Sequence, residues 1–165
     1  MIVVADSSPL IILAKLNCFD ILNRLYPRLH ISAEVYSEVV VAGTGLPGAQ
    51  QVAASAWIEV TPIQNRAALL AAQTKSSLGV GELSTIVLSK EIHADAVILD
   101  DFKARKLAKD EGLQVRGTVG VLENLYRRCH LADLRAAFQQ LLVHEVYIDR
   151  RLLNRRLHAL GLPPL

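Results

Sequence analysis

Hydrophobic residues follow two alternating patterns along the chain. Short apolar runs bounded by turn-formers read as strands: residues 2–5, the segments "RLHIS" and "WIEV", residues 96–99 within "DAVILDD", and "LQVRG". Between them lie stretches whose apolar positions recur three and four apart, which read as helices. Pro9 sits where a helix after the first strand begins, a place proline favours, and that helix carries Leu10, Leu13, Ala14 and Leu16. Another helix follows Asp20. Ser32 is placed to cap "AEVYSEVVVA", whose Val35, Val39 and Ala42 mark one stripe. "GTGLPG" is a loop, and "WIEV" ends at Pro62. Residues 65–76, "ELSTIVLSKEI", "FKARKLAKDE" (closed by Gly112) and "VGVLENLYRR" (begun by Thr118) are helical, as are residues 131–143 and 150–160.

Strands alternating with helices, the clearest of them continuous apolar runs, predict an α/β protein with a mainly parallel sheet covered on both faces. The 165 residues fit one domain, and 52% hydrophobic against 21% charged residues argues for a well-buried core. No run approaches the roughly 18 apolar residues of a membrane span, and the N-terminus lacks a basic signal region, so the expected location is cytoplasmic. Cys18 and Cys129 match no metal or redox spacing and are expected as reduced thiols in or near the core. A net charge of +2 does not by itself mark a nucleic-acid binder. Its distribution is uneven, with Arg127, Arg128, Arg150, Arg151, Arg155 and Arg156 loading the last third. Near the acidic pair, Lys103, Arg105 and Lys106 suit either a nucleic-acid backbone or a solvated helix face.

The chemistry lies in the carboxylates. Asp6 ends the first strand, and a buried carboxylate needs a partner. The 96–99 strand ends in Asp100 and Asp101, and sites in open α/β sheets form beyond the carboxyl ends of strands. Glu38 lies on a helix, four residues after Glu34 and on the same predicted face. Glu82 lies in the first turn of another, where an acid is favoured by the helix dipole. Alone, each has an ordinary explanation as a cap or a solvated charge. Together they fill one crevice with like charges that a cation would neutralise. An all-oxygen set suits Mg²⁺ or Mn²⁺, and such ions serve phosphodiester hydrolysis.

The motifs "VVADSSPLI", "AEVYSEV", "GVGELSTIVLS", "VILDDFKARKLA" and "GTVGVL" occur in this order from residue 1 to about 125. Together they resemble the PIN-like nucleases, in particular a prokaryotic branch grouped with the toxin ribonucleases of type II toxin–antitoxin pairs. The resemblance implies a single PIN-like domain over residues 1–165, with a three-layer α/β/α core over about 1–125 and a C-terminal helical extension over about 126–165. It implies a metal-dependent ribonuclease using Mg²⁺ or Mn²⁺. Its catalytic acids would be Asp6, Glu38, Glu82 and Asp101, with Asp6, Glu82, Asp100 and Asp101 available to the metal. The fourth acid is Asp100 or Asp101, with Asp101 slightly favoured by its place after the strand. Ser8 would support Asp6, and Thr118 would orient a water on the metal or a phosphate. The expected partners are an RNA substrate, a cognate antitoxin and a second copy in a homodimer.

Two other readings compete. A PIN-like module could bind RNA or protein without cutting, although its acidic set is complete. Asp6 and its hydroxyls are also similar to the haloacid-dehalogenase phosphohydrolases. Those require a second Asp two residues on, where this chain has Ser8, and no lysine fills the intervening motif. The stretch "VYIDRRLLNRRLHALGL" places Ile148, Leu152, Leu153, Leu157 and Leu160 on one helical side. It suits a final core helix or a partner surface.

Overall fold

Buried apolar runs decide the sheet. The computed structural model describes Met1–Leu165 and contains β1 (Val3–Ala5), β2 (Leu29–Ser32), β3 (Ile58–Thr61), β4 (Ala96–Ile98) and β5 (Val115–Arg116). They form one all-parallel sheet in the order β3-β2-β1-β4-β5. Val3, Val4 and Ala5 pair with Ala96, Val97 and Ile98, so β1 and β4 lie side by side at the centre.

Side chains alternate across each strand and divide the core into two faces. Val3, Ala5, Ala96 and Ile98 pack with residues of α1 (Ser7–Lys15), α7 (Thr118–Arg127), α8 (Leu134–Val143) and α9 (Arg150–Ala159). On the other face Val4 packs with Leu69 of α4 (Arg66–Lys75) and Leu83 and Leu88 of α5 (Val80–Glu91). Val97 and Leu99 pack there too, with Ala104 and Ala108 of α6 (Phe102–Asp110). The result is the three-layer α/β/α arrangement that the alternation predicts.

Local differences from the sequence reading have physical causes. The segment after Asp20 is a 3-10 turn, Asp20–Arg24. A short helix, α3 (Ala49–Ala54), starts after Gly48, whose φ of 96° is one that L side chains rarely adopt. The single helix expected over "AEVYSEVVVA" is α2 (Ala33–Tyr36) followed by a π-helical segment, Ser37–Ala42. Wider i→i+5 winding rotates the residues that follow, so Val35 and Val39 are buried while Ala42 is exposed. Cys18 is buried, and burial pushes its thiol pKa up. Cys129 is exposed, in a left-handed residue (φ 58°) just past the end of α7. The leucine side of α9 faces inward, with Leu153 and Leu157 fully buried in the main core. No helix is long and apolar enough to cross a membrane.

Candidate active site

The chain runs from β1 outward to β2 and β3, then crosses back to β4 on the other side of β1. The order of strands therefore reverses between β1 and β4, which is where open α/β sheets form their crevice. Asp6 follows β1 directly and its backbone N–H donates to Ile98 O at 3.1 Å. Asp100 and Asp101 follow β4 at the same edge. Parallel pairing thus gathers carboxylates that lie 94 and 95 positions apart in sequence.

Asp6 is 1% exposed. It occupies the N-cap position of α1, but its side chain makes no capping bond; the contact it does make is with the Ser7 hydroxyl, at 3.5 Å from Oδ1. Burial is the main reason its pKa is pushed up to about 7, with the Ser7 backbone amide opposing and the charges of Glu82, Glu38 and Asp100 adding. The carboxylates expected to share a crevice are therefore close enough to feel one another.

Each of the other acids is held by a local bond. Glu38, on the π-helical segment, accepts from Gly81 N at 3.2 Å. Glu34, its expected companion on one face, instead pairs with Arg66 at 2.5 Å. Glu82 sits in the first turn of α5 and accepts from Gly79 N at 2.8 Å. Burial raises its pKa, the bond to Gly79 opposes, and Asp101 and Glu38 add. Asp100 accepts from Thr118 N at 2.8 Å and from Thr118 Oγ1 at 2.5 Å. Asp101 caps α6 by accepting from Ala104 N at 2.8 Å.

Two side chains have places other than those expected. Ser8 is exposed and the hydroxyl beside Asp6 belongs to Ser7, because Ser8 has already turned outward in the first turn of α1. Thr118 is buried and spends both its donors on Asp100, so it positions that carboxylate.

The structure adds contacts that the motifs do not show. Ser32 Oγ lies 2.7 Å from Ser84 Oγ, and Ser84 donates to Gly81 O at 2.7 Å, while Ser32 caps α2 by accepting from Val35 N. This buried hydroxyl chain ties the end of β2 and the start of α2, which runs on into the segment bearing Glu38, to the first turn of α5, which bears Glu82. Arg105 donates to Leu99 O at 2.9 Å and passes over the bare Cα of Gly117, where a Cβ would collide with the guanidinium. The glycines of "GVGE" and "RGT" are the sequence signals that point to them.

As donors, these oxygens fit a hard divalent ion. As they stand, no three His, Cys, Asp or Glu side chains converge closely enough to hold one.

No curated protein matches the chain. A family model described as a PIN domain matches residues 2–162, which includes all five strands and the last two helices. The chain belongs to the PIN-domain family.

Proposed function

We propose that the protein is a metal-dependent ribonuclease that hydrolyses RNA phosphodiesters. One observation carries the reading: a buried Asp6 at the switch point of the sheet, within electrostatic reach of Glu38, Glu82 and Asp100. A structural carboxylate at such a place would be expected to cap α1 or pair with a cation, and Asp6 does neither.

Mg²⁺ or Mn²⁺, held by Asp6, Glu82, Asp100 and Asp101, would supply positive charge to the phosphate and to the attacking water. The chain's own contribution is placement. Thr118 holds Asp100, Gly81 N–H holds Glu38, and the Gly79 N–H holds one oxygen of Glu82 while leaving the other free. Arg105, fixed on Leu99 O beside Asp100, sets a cation at the rim, where a phosphate oxygen would approach. The buried hydroxyl chain keeps the two glutamate-bearing helices in fixed register.

The test is incubation of purified protein with labelled single-stranded RNA, with Mg²⁺, Mn²⁺ or EDTA, beside Asp6→Asn. Cleavage that needs the ion and is lost in the variant supports the reading. A non-cleaving module has one observation in its favour, the failure of three carboxylates to converge. RNA binding without cleavage in any of the ions would favour it. The finer assignment, a cytoplasmic homodimeric toxin with a cognate antitoxin, extends this reading and rests on the motif resemblance. Growth arrest on expression, absent in Asp6→Asn, is its test.

A further inference from the structure

A groove of about 580 Å³ opens beside the carboxylate crevice and shares Asp100 with it. Residues of α7, among them Val119 and Arg127, line it together with Tyr147 and Ile148, which lead into α9. Most of its polar groups are already engaged. Arg156 pairs with Glu123 at 3.6 Å, Arg116 donates to the Tyr26 hydroxyl at 2.9 Å, and Asp149 caps α9. Arg127 is exposed and has neither a carboxylate nor a hydrogen-bond partner for its guanidinium. Tyr147 is fully exposed, an aromatic ring with nothing packed over it at the edge of the groove. A cavity of this size admits a small-molecule-sized group and not a duplex.

We infer that this groove seats an unpaired nucleotide next to the phosphate being cut, with Arg127 on a backbone phosphate and Tyr147 stacked on a base. The inference rests on the nuclease reading for its position and goes beyond it by assigning the segment leading into α9 to substrate binding. A guanidinium recognises phosphate, and an exposed ring offers a sequence-tolerant stacking surface for any unpaired base. The shared Asp100 makes the groove continuous with the crevice, so a strand lying in one enters the other.

The experiment measures binding of a fluorescein-labelled single-stranded oligoribonucleotide of mixed sequence by anisotropy, in EDTA so that no cleavage intervenes, over a range of salt. Arg127→Gln is expected to weaken binding and to reduce the slope of log affinity against log salt by about 0.7, the value for one phosphate contact on a single strand. Tyr147→Ala is expected to weaken binding about 5- to 150-fold with the slope unchanged. Arg150→Gln, exposed on α9 outside the groove, is the control and should bind as the wild type does. All three side chains are exposed, and thermal melting checks that each variant is folded.

Wild-type binding by both Arg127→Gln and Tyr147→Ala overturns the inference. So does an equal loss in Arg150→Gln, which would reduce the effect to general surface charge. Equal affinity for a blunt duplex of the same sequence overturns the unpaired-base assignment. A parallel Mn²⁺ cleavage assay separates the two readings. Groove-dependent binding without cleavage leaves the groove standing and removes the nuclease, whereas cleavage with groove variants that bind normally does the reverse.

Discussion

Glu38 Oε1 accepts the backbone N–H of Gly81 at 3.2 Å, a bond that crosses 43 positions and joins the π-helical segment to α5. The missing side chain at Gly81 makes it possible. A Cβ there would lie 2.5 Å and 2.7 Å from the two carboxylate oxygens of Glu38, while the glycine's own backbone is helical and suits any residue. Gly81→Ala should therefore keep the fold, and the added helix propensity of about 0.5–1 kcal/mol should hold or raise Tm. The flexible end of Glu38 gives way instead, and a carboxylate moved by about 1 Å should reduce kcat by roughly 100-fold. Melting and RNA cleavage measured on the same preparation decide it. A variant with full activity would remove Glu38 from the site.

Asp6 gives the protein a pH dependence opposite to that of an ordinary surface aspartate. Its folded pKa, about 7, lies above the unfolded value near 3.9, with burial as the main cause and Glu82, Glu38 and Asp100 facing it. The folded state therefore holds a proton that the unfolded chain releases. The stability this contributes is complete below about pH 4 and is lost as pH rises through 7, up to about 4 kcal/mol. In EDTA, Asp6→Asn should be the more stable protein at pH 8, with its advantage fading toward pH 5. Parallel denaturant curves for the two proteins across this range would count against a buried, proton-holding Asp6.

The strands and their ends are legible in the sequence because a parallel strand buried on both faces must be a continuous apolar run, and residues 2–5 and 96–99 are such runs. That pattern alone places Asp6 and the Asp100–Asp101 pair at a common edge of the sheet. The π-helical turn is not legible, since three consecutive valines before Ala42 suit several helical windings and the contact with Gly81 that accompanies this one is long-range. The motif points to Ser8 as the hydroxyl beside Asp6 where the fold uses Ser7, because one residue along a helix start turns a side chain by about 100°. The role of Thr118 as the holder of Asp100 depends on a bond across 18 positions, which no local pattern encodes.

Asp100 and Asp101 differ in what holds them, and their substitutions should therefore differ in effect. Asp101 caps α6, a task that asparagine performs equally well. Asp100 is drawn beside Asp6 by the two bonds from Thr118. Asp100→Asn should lose most of its activity, while Asp101→Asn keeps the α6 cap and loses less. Thr118→Val deletes one of the two bonds and should fall between wild type and Asp100→Asn. RNA cleavage rates for the three variants at saturating metal test the order. If Asp101→Asn is the inactive one, the fourth acid is Asp101.

The last two helices supply core to the sheet itself. Phe138, Leu141, Leu153 and Leu157 are fully buried in the same cluster as Val3 and Ala5. Removing residues 126–165 would strip one face of the central strands, including the one that presents Asp6, of much of its cover. The truncated chain should fail to give a cooperative melt. Phe138→Ala in the full chain is the milder form of the same change. Losing a fully buried ring costs about 3–5 kcal/mol, enough to lower Tm by roughly 10 °C. A cooperative melt of the 1–125 fragment near the full-length Tm would show that α8 and α9 are an appendage and that β1 needs only the helices before them.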